Sequence, residues 1–398
     1  MNDRLARTAL RSRIAHAMRA TLAAVTMLVA SCGGDVDSGG TGSPVYASGT
    51  ITGFGSVIVG GVHFDDARAT VLDGDGTVRS RDDLRLGMTT EVRGSAVSAD
   101  ANGTSVSTAD SIAFSSDLLG RVDSIDTAGA QLRVLGQTVD IAATTVFDDA
   151  SLSGGLAELS VGDIVEVYAL FDAATSHHAA TRIERKSTTA NVVLRGVVGQ
   201  LDTTARTFSI GSERISYATF NGGLPAGLSN GSIVRLRLNP TQVAGVWQVS
   251  ALTDGVRRLP DQDDVRLEGL VTAFVSATQF SVDGVAVDAG ASPASGVTLG
   301  VRVEVQGTAR AGVLVASKVS VKGGGDDAGE FELRGAVTSP NAAQLSFVVR
   351  GVTVVYSTST TEFRNGTAAG IVAGANVEAR GPLSPDGTRL LATRITFR

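Results

Sequence analysis

The sequence predicts an all-β protein in which a tandem array of about five small, five-stranded antiparallel barrels follows a signal peptide and a flexible tether. Three observations predict this class. Glycine accounts for 48 of 398 residues, well above the ~7% of average proteins, which is typical of short strands joined by turns. Apolar and polar residues alternate with a period of two, as in residues 301–306. One pattern of glycines and strands also recurs along the chain.

The repeat is defined by two glycine anchors. The first opens each unit, and the second precedes a strand close to Gly-x-x-Val-x-Val. Two anchors that recur in one order indicate five units, at residues 48–117, 118–191, 192–264, 265–330 and 331–398. The first anchors are Gly49, Gly120, Gly196, Gly269 and Gly335, and the second anchors are Gly87, Gly162, Gly231, Gly300 and Gly374.

Each unit holds about five strands in roughly 70 residues. Closing such a sheet into a barrel removes its exposed edges, and the oligonucleotide/oligosaccharide-binding barrel is the closest common architecture. A small open sandwich is the alternative. Residues 82–86 and 148–159 leave room for a helical turn. Because units of this size bury little surface alone, neighbouring units can pack together, but we expect an arrangement of beads in chain order.

Residues 1–31 are typical of an export signal. Five arginines precede an uncharged stretch at residues 20–30, which is too short to span a membrane. It runs into Val29-Ala30-Ser31-Cys32, which resembles a bacterial lipobox. The resemblance implies cleavage between Ser31 and Cys32 and lipid attachment to Cys32.

Cys32 is the only cysteine of the chain. A single cysteine excludes an internal disulfide and any multi-cysteine zinc site. A buried core cysteine is the alternative, but a polar, glycine-rich stretch follows at once. Residues 32–47 therefore read as a flexible tether.

The net charge of the chain and the residue after Cys32 bear on what the protein binds and on which membrane holds it. Removing the leader lowers the formal net charge from −6 to −10, because the leader holds five arginines and one aspartate. An acidic body does not attract nucleic acid. Residue 33 is Gly rather than Asp, which by analogy with enteric sorting favours the outer membrane, facing the periplasm or the surface. A transmembrane β-barrel would need longer strands and more aromatic residues.

The first unit resembles a known family. Its segments GTITGFGSVIVGGVHFD and DDLRLGMTTEVRG, together with the lipobox, resemble bacterial exported lipoproteins built from repeats of domain of unknown function 5666. The resemblance covers about residues 48–398 and is weaker in the third and fourth units. It implies a fold and a location, but no activity, cofactor or catalytic residue.

The nucleotide-binding motifs, a P-loop and a G-x-G-x-x-G sequence, do not occur. Adjacent His177 and His178 are expected in a solvated loop; a metal site is the alternative and would need further ligands. His63 is expected on the outer face of a strand, with a catalytic role as the alternative. Asp73 and Asp75 resemble part of a calcium loop, but Asp-Gly pairs are strong turn formers, so we expect a hairpin turn.

The remaining charged and aromatic residues have simple interpretations. Glutamates that recur at one repeat position are expected to face outward from their strands. Acidic residues between units are expected to be solvated linker charges. Sugar binding would need exposed aromatics, of which few are available. The glutamates are Glu91, Glu166, Glu304 and Glu378; the linker acids are Asp261, Asp263, Asp264, Asp326 and Asp327; the aromatics are Trp247 and four tyrosines.

The sequence thus favours a non-enzymatic envelope lipoprotein that acts as a binding or spacer module, without metal or cofactor. Its lipid would anchor it to the membrane. Its partner would be an envelope protein or a polysaccharide, and we expect it to bind no nucleic acid. An oligosaccharide-binding protein is the first alternative. An enzyme with a site between units is the second.

Overall fold

The computed structural model describes residues 42–256, 258–322 and 329–398. Within these ranges the helical segments are single 3-10 turns at Arg81–Asp83, Gly155–Glu158 and Ala368–Gly370, and the first two lie where the sequence left room for a turn. No helix in the described residues is long and apolar enough to cross a membrane. The leader, Ser31, Cys32, Asp326 and Asp327 lie outside the described residues.

The first two units contain strands β1 to β15. Alternation of buried and exposed residues is clear in several of them, as the period of two predicted. The strands of unit 1 are β1 (Val45–Thr50), β2 (Gly53–Phe54), β3 (Val57–Val59), β4 (Val62–Asp65), β5 (Thr70–Leu72), β6 (Val78–Arg79), β7 (Thr89–Gly94), β8 (Ser98–Ala99) and β9 (Ser105–Phe114). The strands of unit 2 are β10 (Leu118–Asp126), β11 (Gln131–Val134), β12 (Gln137–Asp140), β13 (Val146–Phe147), β14 (Ile164–Asp172) and β15 (His177–Lys186).

The other three units contain β16 to β33. The strands of unit 3 are β16 (Val192–Asp202), β17 (Thr207–Ile210), β18 (Glu213–Ser216), β19 (Ile233–Leu238) and β20 (Trp247–Asp254). The strands of unit 4 are β21 (Gln262–Ser276), β22 (Gln279–Val282), β23 (Val285–Asp288), β24 (Arg302–Arg310) and β25 (Val313–Val321). The strands of unit 5 are β26 (Phe331–Ala336), β27 (Thr338–Asn341), β28 (Ser346–Val349), β29 (Val352–Val355), β30 (Glu362–Arg364), β31 (Asn376–Gly381), β32 (Leu390–Leu391) and β33 (Arg394–Phe397).

Strand pairing runs in a closed circuit within a unit, and unit 4 shows it most simply. There β21 pairs with β22, β22 with β23, β23 with β25, β25 with β24, and β24 again with β21. The pairing of β23 with β25 is parallel, and the others are antiparallel. Such a closed Greek-key circuit has no free edge. The predicted all-β class with small closed barrels is confirmed.

Apolar cores are shared between units. One core combines Phe64 of unit 1 with Phe347 of unit 5, and a second combines Leu118 of unit 2 with Leu194 of unit 3. The third belongs to unit 4 and includes Tyr46 from β1. The expected beads in chain order are therefore wrong: joining faces buries more apolar surface than a small unit can bury alone.

Strands also pair across units. β1 runs parallel to β21, β2 runs parallel to β26, and β10 pairs with β16. Val45 is opposite both Gly94 and Asp264, so residues 45–47, which the sequence assigned to the tether, belong to a strand. Residues 262–264, assigned to the third unit, likewise begin the first strand of unit 4.

Candidate functional site

The recurring glutamates point away from their own barrels, as predicted, but several lie inside the body. Glu304 is buried and its carboxylate lies 2.8 Å from the Lys322 ammonium. Glu378 is also buried and is paired with Arg380 at 3.0 Å and with Arg398. The outer face of one unit packs against another unit, so a side chain can leave its barrel without reaching water. These ion pairs hold neighbouring strands of one unit together.

Unit 2 contains a cluster of ion pairs of the same kind. The Lys186 ammonium lies 2.9 Å from Glu166 and 2.6 Å from Glu184. Arg182 lies 2.5 Å from Glu184 and 2.7 Å from Asp148. Burial by itself raises the pKa of Glu184, but the charges of Arg182 and Lys186 outweigh it and lower that pKa to about 2. This carboxylate stays ionised at neutral pH, which suits an ion pair rather than proton transfer.

A buried ion triad joins three parts of the chain. Arg195 on β16 lies 3.3 Å from Asp117, which precedes β10, and 3.0 Å from Asp283, which follows β22. Its guanidinium also stacks over the Phe171 ring, 5.3 Å from the ring centre. Burial lowers the pKa of Arg195, but Asp283 and Asp117 outweigh this and raise it. The triad keeps its charges because each has an opposite charge beside it.

His177 and His178 do not lie in a solvated loop, so that prediction is wrong. Both belong to β15, which pairs with β14 on one side and β12 on the other. His178 is fully buried; its Nδ1 lies 3.4 Å from Asp117, and its ring lies 4.7 Å from that of Phe171. His177 lies 2.9 Å from Asp140. Because β15 is hydrogen-bonded to a neighbouring strand at both histidines, they lie within the sheet and not in a turn.

His63 lies on β4 between buried Val62 and Phe64, on the outer face as predicted. Its Nδ1 is 3.3 Å from the Ser56 hydroxyl. Burial, followed by the charge of Arg380, lowers the pKa of His63 against the opposing effect of Glu378. A neutral imidazole beside a serine can accept the proton of the serine hydroxyl. Ser56 and His63 are therefore the candidate pair for hydrolytic chemistry.

Asp73 and Asp75 form the predicted hairpin turn between β5 and β6. The Asp73 carboxylate accepts hydrogen bonds from the backbone N–H groups of Asp75 and Thr77, both at 3.0 Å. Asp75 is paired with Arg237 and lies 3.6 Å from Arg235 of unit 3. The Asp75 carboxylate therefore faces two guanidinium groups of unit 3. In the described ranges no group of three or more His, Cys, Asp or Glu residues is arranged to hold a metal.

The aromatic residues considered for sugar stacking are buried or half-buried. The Trp247 indole is half-buried, and its N–H donates to Glu213 at 2.7 Å. All four tyrosines are buried, so none presents a ring face to solvent. These are Tyr46, Tyr168, Tyr217 and Tyr356.

The linker acids that the structure describes are bonded rather than simply solvated. Asp263 accepts from Ser43 at 2.9 Å and pairs with Arg310. Asp261 accepts from the Ala311 backbone N–H at 2.8 Å. They fasten the start of β21 to the turn that follows β24.

Two clefts lie where three units meet. One, of about 440 Å³, is lined by charged residues of units 1, 2 and 3, including Asp75, Lys186 and Arg235. The other, of about 510 Å³, lies between units 1, 2 and 5. There the Arg350 guanidinium stacks 5.5 Å from the centre of the Phe54 ring, and Arg85 lines the same space. Sequence reasoning missed both clefts because their residues come from distant units.

The fold and the paired charges define a multi-barrel β protein built from one repeated unit. A family model described as a domain of unknown function (DUF5666) matches residues 120–184, 268–320 and 334–396, in units 2, 4 and 5. Three separate segments of the chain therefore match this domain, which is consistent with a repeated architecture. No curated protein matches the chain.

Proposed function

We propose that the protein is a lipid-anchored, non-enzymatic module of the bacterial cell envelope that binds a partner. The observation that carries the proposal is the packing of the units into one body through shared cores and the Arg195 triad. A spacer gains reach when its units are extended in line. Packing unit 1 against units 4 and 5 gives breadth in place of length, and breadth suits a binding surface.

The cleft between units 1, 2 and 5 is the proposed contact for the partner. Asp148 and Glu184 on its wall are held by Arg182. Arg85 and Arg350 have no carboxylate within ion-pair distance among the described residues. Two such guanidinium groups favour an acidic envelope protein or polysaccharide, since guanidinium binds carboxylate in a bidentate manner.

The anchor is tested by metabolic labelling with an acyl-chain probe. The basic leader, the short apolar stretch and the single cysteine support it. Cys32→Ala should lose the label. Ser31→Ala is the matched control and should keep it, because it retains a small residue before the cleavage point. A wild-type protein that takes up no label, or that keeps residues 1–31, would contradict the anchor. Fractionation of the labelled protein tests the outer-membrane location.

The binding role is tested by photo-crosslinking in intact cells. A photoreactive residue at Arg85 lies in the cleft, and one at Arg214, which is exposed on unit 3, is the control. We expect one envelope component to be captured from position 85 and not from position 214. Equal capture at both positions would argue against the cleft.

The Ser56–His63 pair provides the test against an enzyme. If the protein were a hydrolase, purified wild type would cleave ester or amide substrates, and Ser56→Ala and His63→Ala would both abolish cleavage while His177→Ala would not. We expect no turnover that depends on either residue. Turnover with that pattern would replace the binding module by a hydrolase.

A further inference from the structure

Unit 4 presents apolar side chains to solvent at one end of its barrel. Phe274 and Val275 at the end of β21 are 41% and 78% exposed, and Val313 and Val315 at the start of β25 are 37% and 50% exposed. Scattered exposed apolar residues are ordinary on protein surfaces. These four come from two strands of a single unit.

The strand register places Val313 and Val315 on the outer side of the barrel. Val275 reaches the same side from a bulge of β21, whereas Phe274 is opposite buried Phe280. Ala273 is opposite Ser281, Ser281 is opposite Ala286, and Ala286 is opposite Val313. Residues directly opposite each other point to the same face of a sheet. This rung is therefore made of small or apolar side chains, and Val315 lies on the same face two residues further along β25.

The chain enters the described body beside this surface. The Ser43 hydroxyl donates to Asp263, which pairs with Arg310, and Arg310 is opposite Val313. Cys32 precedes Ser43 by eleven residues, which span at most about 40 Å when extended. A lipid on Cys32 thus keeps the surface within reach of the bilayer that holds the lipid.

We propose that Val275, Val313 and Val315, the apolar face, rest in the headgroup–acyl boundary of the membrane to which the protein is anchored. This rests on the lipid anchor of the proposed function. The anchor holds the body at high effective concentration near the bilayer, so a small apolar area is enough to orient it. Arg310 and exposed Lys318 flank the face, where cations can contact anionic headgroups.

The test uses the full, acylated protein in vesicles of phosphatidylethanolamine and phosphatidylglycerol that carry doxyl groups on their acyl chains. A fluorophore is attached to Val275→Cys or Val315→Cys. Val161→Cys and Val243→Cys are the controls, since these valines are equally exposed on units 2 and 3. The Cys32 thiol is consumed by the lipid, so labelling is specific to the new cysteine. All four substitutions lie in solvent, where folding tolerates them.

The doxyl chains should quench about half or more of the fluorescence at positions 275 and 315, because residues at the boundary lie ~5–10 Å deep in the membrane. The fluorescence at positions 161 and 243 should stay nearly unchanged. Acylated protein that binds the vesicles but shows equal quenching at all four positions would overturn the inference and leave the anchor standing. Protein that is never acylated would overturn both. In unlabelled Val275→Cys or Val315→Cys protein, disulfide-linked pairs would assign the face to a second copy of the chain instead.

Discussion

Arg195 and Asp283 form an ion pair at 3.0 Å with side chains only 6% and 4% exposed, and this pair joins unit 3 to unit 4. Asp117 completes the triad from the connection between units 1 and 2. Charges buried this far from water persist only if each is neutralised by a partner with good geometry. The triad therefore specifies one relative orientation of the units that apolar contacts alone would leave less defined.

Removing the shared cation should destabilise the body strongly. Arg195→Met leaves two carboxylates buried without their guanidinium, and breaking a buried pair in this way costs roughly 3–5 kcal/mol. The midpoint of urea unfolding measures the loss. Arg258→Met is the control, because Arg258 pairs with Asp254 at the exposed surface, where a salt bridge contributes about 0–1 kcal/mol. Equal effects of the two substitutions would contradict the role of the triad.

Acid should remove the contribution of Glu184. Its pKa is lowered from the ordinary 4.5 to about 2 by Arg182 and Lys186, which outweigh burial. A carboxylate whose pKa is lower in the folded state stabilises the fold above pH 5, and that stabilisation is lost as the pH falls from about 5 to about 2. The contribution at pH 7 is roughly 3 kcal/mol.

The measurement for Glu184 is unfolding free energy against pH. Glu184→Gln should lower stability at pH 7 and flatten the curve between pH 5 and 2. Asp110→Asn, at an exposed position on β9, serves as the control and should leave the shape of the curve unchanged. A Glu184→Gln curve parallel to that of the wild type would show that the pair contributes nothing.

Gly381 should not tolerate a side chain. It ends β31 where the backbone of Leu391 passes, and a Cβ atom there would overlap the Leu391 carbonyl oxygen. Gly381→Ala should therefore cost about 1–3 kcal/mol through a forced backbone shift. At Gly223 a Cβ would meet no atom and the backbone is not left-handed, so Gly223→Ala should be neutral or slightly stabilising. Thermal unfolding of both variants checks the contrast.

Tyr46 should be needed for the core of unit 4 although it belongs to a strand of unit 1. Its ring is 1% exposed within that core, and β1 pairs it with Val265. Tyr46→Ala should cost about 3–5 kcal/mol, as large aromatic truncations do, and should speed amide exchange in β21 to β25. Val243→Ala, at an exposed position, should change little. Unaltered exchange in unit 4 would show that its core closes without Tyr46.

Local pattern predicted much of this fold because it depends on neighbouring residues. Alternation such as Val303-Glu304-Val305 places valines inward and glutamate outward whatever surrounds the unit. The Asp73 turn and the two 3-10 turns also follow from short segments. The second glycine anchors Gly87, Gly162, Gly231, Gly300 and Gly374 all have positive φ, which a residue without a side chain adopts most readily.

The candidate sites were less predictable. His178 was expected in a solvated loop between two strands, yet it is buried against Phe171 and Asp117. The cleft lined by Phe54, Arg85 and Arg350 joins residues almost 300 positions apart. Nothing in a local pattern states which outer face of a unit will meet another unit.

The sequence by itself determined the repeated closed β-unit, its turns and the outward position of its recurring charges, since these arise from contacts within one unit. Only the tertiary structure decided that unit 1 packs on units 4 and 5 and that Tyr46 of unit 1 completes the core of unit 4. It also decided that outward glutamates such as Glu304 form buried ion pairs. The physical reason is that packing between units depends on how whole surfaces fit, so that one body results when their joint burial of apolar area exceeds the cost of burying the charges between them.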